Sequence, residues 1–232
     1  MSIWASLAGF IETGAGLVGG FVDGLVTVVA GDPEARRQFA FSAAMIGLAA
    51  KMAKADGVVT GPEVSAFRRL FVVPAGEERH LERLFNLARQ DVAGYRSYAE
   101  RIAGIYGSGA PVMEDILDGL FAIATADGLV HQAELAYLED VGSILGVTGA
   151  DFERVKARHV VPQEGDPYVI LGATRDMSDT EMRRHYLKLV ADAHPDRLVA
   201  RGVPPEFLAI ATQRLAAING AWEQVARERG IK

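Results

Sequence analysis

The chain has 232 residues, enough for one large domain or two small ones. Half of them are hydrophobic, 23% are charged and none is cysteine, which excludes a disordered chain, a disulfide framework, thiolate metal sites and cysteine nucleophiles. The net charge of −6 is uneven: residues 1–165 hold 14 Lys/Arg against 21 Asp/Glu and residues 166–232 hold 10 against 9, so no nucleic-acid partner is expected of this acidic body.

Residues 1–31 form an apolar, glycine-rich segment. Drawn as a helix over 3–29, it places Ile3, Leu7, Phe10, Leu17, Phe21 and Leu25 on one side and Gly9, Gly16, Gly20 and Gly24 on the other. Glu12 and Asp23 interrupt it too closely for a simple transmembrane span. No Lys or Arg precedes Arg36, so the basic start of a signal peptide is missing. Six glycines between 9 and 24 make it a poor helix in water unless it packs on something. Contact with a membrane surface, self-association and docking on the body are the three readings.

Asp32-Pro33 predicts an N-cap followed by proline at the first helical position, opening a helix to about Ala55. Thr60-Gly61-Pro62-Glu63 reads as a capping box for a helix to about Phe71. Further helices are expected over roughly 76–90, 94–106, 111–126, 131–145 and 149–159. Strand alternation is almost absent, and the fold class that follows is all-α.

Within this stretch a short motif occurs twice. Ala55-Asp56-Gly57-Val58-Val59 precedes Glu63, and Ala126-Asp127-Gly128-Leu129-Val130 precedes Glu134, an acid seven residues after each Asp. The copies are 71 residues apart and suggest a duplicated helix-turn-helix unit. On that motif, residues 32–160 resemble the TerB-like helical domain, which is found in tellurite-resistance proteins and beside J-domains in DjlA-like membrane co-chaperones. Asp56, Glu63, Asp127 and Glu134 have two readings. They cap helices, with His131 at a helix start equivalent to Thr60, or they gather around a divalent cation, as the resemblance to TerB-like domains implies. A complete calcium loop is excluded, because Met52, Lys54, Ile123 and Thr125 stand where earlier acidic ligands are needed.

Residues 161–165 read as a linker. Beyond it, Asp166-Pro167-Tyr168-Val169-Ile170-Leu171-Gly172 predicts a short helix closed by glycine, and Ser178-Asp179-Thr180-Glu181 a capping box. The helix that follows, to about Ala193, carries Met182, Tyr186, Leu189, Val190 and Ala193 on one face and Arg183, Arg184, Leu187 and Lys188 on the other. His194-Pro195-Asp196-Arg197 is expected as a loop, since proline ends a helix. A last helix from Pro204 puts Phe207, Ala211, Leu215, Ile218, Trp222 and Val225 on one face.

This order of elements, with Ile218-Asn219-x-Ala221-Trp222 near its end, resembles the J-domain of the DnaJ family over residues 166–232. The resemblance implies that Arg183, Arg184, Lys188 and Arg197 present a basic surface to a DnaK-type ATPase, and that His194, Pro195 and Asp196 contact it at the turn. Leu187 departs from the family, which commonly has Lys or Arg there, and His185 stands where a small residue is usual. An acid-base pair of His194 and Asp196 lacks any nucleophile in a recognisable context.

Three functions therefore compete. The leading one is a non-enzymatic co-chaperone without a cofactor of its own, in the cytoplasm or at the inner face of the membrane, stimulating a DnaK-type chaperone for an unknown client. The second is a tellurite-resistance-type metal-stress scaffold that binds a divalent cation and recruits a chaperone. The third is a metal-dependent hydrolase using the four acids.

Overall fold

The computed structural model describes residues 33–55, 67, 76, 78–90, 94–126, 128, 130–160 and 165–231, and those residues are helical with no strand. Helix α1 spans Pro33–Ala55, α2 Glu78–Gln90, α3 Tyr95–Tyr106, α4 Pro111–Ala124, α5 Gln132–Leu145 and α6 Ala150–His159. Then come α7 Pro167–Leu171, α8 Asp179–Asp192, α9 Pro195–Ala200, a 3-10 turn Pro205–Phe207 and α10 Ala209–Arg229.

Helix α1 is the axis of the bundle. From Phe39 to Met52 every residue is buried, with small residues between the large ones, so α2, α3, α4 and α5 all pack against it. Proline at its first position and Glu34 in its first turn suit a helix start. The α5 helix is tied across to it: the Tyr137 hydroxyl donates to the Leu48 carbonyl at 2.8 Å, and the Tyr137 ring meets that of Tyr95.

The C-terminal helices contribute to two cores. Tyr168, Ile170, Leu171, Met182, Ile218 and Val225 close a small core between α7, α8 and the second half of α10. Tyr186 stacks on Trp222 and donates to Asn219, while Arg229 at the other end reaches Asp179. Rising numbers on α8 thus face falling numbers on α10, and the pair is antiparallel. Leu198, Val203, Phe207, Ile210 and Ala211 belong instead to the core of the bundle. Phe207 meets Phe41 edge-on, ring centroids 5.0 Å apart. Gly119 of α4 marks this approach: a Cβ there would lie 2.6 Å from Met45 Cε and 3.0 Å from Ile210 Cδ1. The apolar stripe expected along one last helix therefore serves two partners in succession.

Helix boundaries expected from caps agree with the structure to within two residues for α1 and for α3 to α8. The segments 1–31 and 56–66, with the first capping box, lie outside the described residues, and the linker is described only at Gly165.

Candidate functional site

The exposed site begins with the cap of α8. Ser178 and Glu181 form the expected box: the Glu181 N–H donates to Ser178 Oγ at 3.3 Å, and the Ser178 N–H to Glu181 Oε2 at 2.9 Å. Hydrogen bonds from the Ser178 hydroxyl and amide hold the Glu181 carboxyl below its ordinary pKa. With the helix start fixed, Met182 is buried, Tyr186, Leu189 and Val190 pack partly, and Arg183, Arg184 and Lys188 stay exposed. Leu187 lies among these bases with 56% of its surface open, the most exposed large apolar side chain of the described residues. His185 turns inward, and its Nε2–H donates to the Leu171 carbonyl at 2.7 Å, joining α8 to the end of α7. This histidine thus has a local partner.

The His194-Pro195-Asp196-Arg197 segment corrects the expected loop, because it opens a helix. His194 is the N-cap of α9: its Nδ1 accepts from the Asp196 N–H at 3.2 Å, and Pro195 fills the first helical position. Nδ1 as acceptor leaves the proton of a neutral ring on Nε2. The Asp196 side chain is 92% exposed and Arg197 is exposed as well. Behind the turn, Leu198 is fully buried in the bundle core. The tip therefore offers histidine, proline and two opposite charges to solvent while its rear is anchored. Gly202, at φ +96°, lets the chain leave α9 close against Arg37 and Tyr106.

Beneath this surface is a buried ionic cluster that the sequence reading missed. Helix α4 supplies Glu114, Asp115 and Asp118, and α6 supplies Arg154, Arg158 and His159. Arg158 Nη1 lies 2.8 Å from Glu114 Oε1 and 3.0 Å from Asp118 Oδ2. His159 Nε2 is 2.9 Å from Asp118 Oδ1, and its ring stacks on Phe121. Arg214 of α10 enters from the other side, with Nε 2.5 Å from Asp118 Oδ2 and Nη1 2.7 Å from Asp115 Oδ1. Arg201 Nη1 approaches Asp115 Oδ2 to 3.6 Å.

The two aspartates respond in opposite directions. Burial pushes Asp118 up, but Arg214, Arg158 and His159 outweigh it and hold the carboxyl well below its ordinary pKa. Burial also pushes Asp115 up, and there Arg214 and Arg201 do not fully offset it, with Asp118 and Glu114 adding repulsion. Neither Asp115 oxygen has a hydrogen bond of proper angle despite the short approach of Arg214, which is an ion-pair contact only. A signal for the cluster existed in the sequence: Glu114 and Asp118 share one helical face four apart, and so do Arg154 and Arg158.

Of the four acids of the repeated motif, Asp56, Glu63 and Asp127 lie outside the described residues. Glu134 is 3% exposed and accepts from the His131 N–H at 2.9 Å, the helix-capping role. Among the described residues no three His, Asp or Glu side chains gather at metal-holding distance. The tip thus follows directly on the helix that carries the basic face, Glu134 is the one motif acid among the described residues, and the ionic cluster is additional to both.

The family model described as tellurite resistance protein TerB matches residues 42–157, half of the chain. The chain belongs to the TerB family. The TerB match contains all three acids of the buried cluster and Arg154, but Arg158, His159, Arg201 and Arg214 lie beyond it. Similarity to whole proteins runs further than the TerB unit. The chain is 26% identical over 248 residues to the co-chaperone protein DjlA of Vibrio cholerae, covering 92% of this chain and 86% of that one. It is 26% identical over 225 residues to the DjlA of Photobacterium profundum, 84% and 80% of the two chains. Against the DjlA of Shewanella oneidensis identity is 34% over 121 residues, 47% and 46%. No solved structure matches the chain.

Proposed function

We propose that this protein is a co-chaperone whose C-terminal unit is a J-domain that stimulates the ATPase of a DnaK-type chaperone. The observation that carries the proposal is the placement of the His194-Pro195-Asp196 tip: exposed, capped by its own histidine, and adjoining the open basic side of α8. The similarity to proteins named co-chaperone DjlA over most of the chain supports the same reading.

In this role Arg183, Arg184, Lys188 and Arg197 steer an acidic surface of the partner into register, because opposite charges raise encounter rate and fix orientation. His194, Pro195 and Asp196 supply a rigid tip for close contact, with Asp196 free to pair with a partner arginine. The TerB bundle supplies location or client choice. The site of action is the cytoplasm or the inner face of the membrane. No helix of the described residues is long and apolar enough to cross a membrane. Contact with it would fall to residues 3–29, which lie outside the described residues.

The test is single-turnover ATP hydrolysis by a DnaK-type chaperone with and without the protein. Wild type accelerates hydrolysis. His194→Gln removes the acceleration while helicity stays as in wild type and stability falls by no more than a lost helix cap, about 1 kcal/mol, since the side chain is exposed and its hydrogen bond is to the Asp196 amide. Stimulation by the variant equal to that of wild type would overturn the assignment.

A further inference from the structure

The tip is held from behind by one guanidinium. Arg201 follows α9, and its Nη2 donates to the carbonyl of Asp192, the last residue of α8, at 3.0 Å. Its Nη1 faces Asp115 Oδ2 on α4 of the bundle at 3.6 Å. Residues 192 and 201 bracket the His194–Asp196 turn, so this contact closes the turn into a ring, and Asp115 fastens the ring to the bundle. Leu198, inside the bracket, plugs the core of the bundle and stops the ring from pivoting.

Asp115 suits the task in an unusual way. It is buried, its oxygens make no hydrogen bond of proper angle, and its contacts are Arg201 and Arg214. A buried carboxylate in that state is costly to the fold and gains by keeping both guanidiniums close. Arg214 is itself locked by Asp118, which leaves Arg201 as the arm that extends to the tip. A guanidinium can reach a carbonyl and a carboxylate in two directions from one plane, whereas a lysine ammonium acts as a single point charge.

We propose that Arg201, fastened by Asp115 of the TerB bundle, is a positioning residue that fixes the His194–Asp196 turn in the geometry needed for ATPase stimulation. This rests on the co-chaperone reading above and deepens it: the bundle is then a working part of the tip as well as a targeting unit. In this role Arg201 acts through the turn.

The experiment uses the full chain with Arg201→Met, Arg201→Lys and Asp115→Asn, reading single-turnover ATP hydrolysis by a DnaK-type chaperone alongside amide hydrogen exchange at Asp196. The Asp196 amide is the donor of the His194 cap and reports the turn directly. The expected result is a fall in maximal stimulation of roughly tenfold for Arg201→Met, a smaller fall for Arg201→Lys, and faster exchange at Asp196 in proportion, with exchange in α8 unchanged. Asp115→Asn follows Arg201→Met in both readings. Faster exchange with wild-type stimulation would overturn the proposal, and so would lost stimulation with unchanged exchange, which would make Arg201 a direct contact. If Arg201→Met melts, Arg201→Lys alone decides between these outcomes. Should wild type itself give no stimulation, the co-chaperone reading fails, while the exchange arm still shows whether the clamp exists.

Discussion

Arg214 meets Asp118 across 96 positions of chain, Nε 2.5 Å from Oδ2, with both side chains buried. This contact joins the last helix to α4 at the centre of the bundle, and its energetics decide how firmly the C-terminal unit is held. A buried pair contributes modestly against an apolar replacement, but removing one partner strands the other in a dry interior.

Asp118→Asn should therefore destabilise the protein by about 3 kcal/mol, because Arg214 and Arg158 each lose one of two counter-charges and keep only Asp115 and Glu114. The urea midpoint is the measurement. A shift worth less than about 1 kcal/mol would mean that water reaches the cluster.

The pH response has a defined sign. Asp118 and Glu114 have lowered pKa values, their burial being outweighed by Arg214 and Arg158 at the first and by Arg158, Arg214 and Arg154 at the second. Each adds stability that is present above the unfolded pKa, about 4, and is lost as pH falls toward the folded value. Asp115, raised chiefly by burial, acts oppositely: its ionised form burdens the folded state, and that burden lifts as pH falls. Between pH 6 and pH 3 the urea midpoint of wild type should drop. Asp118→Asn should flatten the drop and Asp115→Asn should steepen it.

Phe207 is buried against Phe41, on the bundle side of the last helices. Phe207→Ala should cost about 3–5 kcal/mol in the full chain, as expected for an emptied aromatic site. The fragment 166–232 should keep helix but melt earlier and bind ANS, since Leu198, Val203, Phe207 and Ile210 lose their cover. A fragment as stable as the intact protein would show that this packing adds nothing.

Charge reversal tests the basic face. Replacing Arg184 and Lys188 with Glu should slow association with a DnaK-type chaperone about tenfold at low salt, and raised ionic strength should mask most of the difference. Stopped-flow association at two salt concentrations reads this out. Loss of affinity that ignores salt would place the contact on Leu187 instead.

Glu134→Ala should cost about 1 kcal/mol, the value of a lost helix cap, whatever cation is present. Thermal melts with chelator and with millimolar calcium, magnesium or zinc check it. A cation-dependent gain in wild type that the variant lacks would move Glu134 from cap to ligand.

What the sequence determined by itself is what depends on near neighbours. Pro33, the Asp166 side chain that accepts from Tyr168 N–H, and the Ser178–Glu181 box each set a helix start within four residues. Periodicity placed Arg183, Arg184 and Lys188 on the open side of α8 and Met182 on the closed one. Even the missed helix at the tip carried a local signal, a polar cap followed by proline in His194-Pro195, the same pattern as Asp166-Pro167. It read as a loop because proline also ends the helix before it.

Tertiary structure alone decided what each apolar or charged face would meet. The apolar stripe from Phe207 through α10 is continuous in sequence, yet Phe207 and Ala211 enter the bundle core and Ile218 and Val225 the smaller one. Glu114 and Asp118 announce an acidic face without naming Arg158 and Arg214 as its partners. Periodicity records which side of a helix avoids water or carries charge; the element that covers it is chosen by packing among distant segments, which no local pattern encodes.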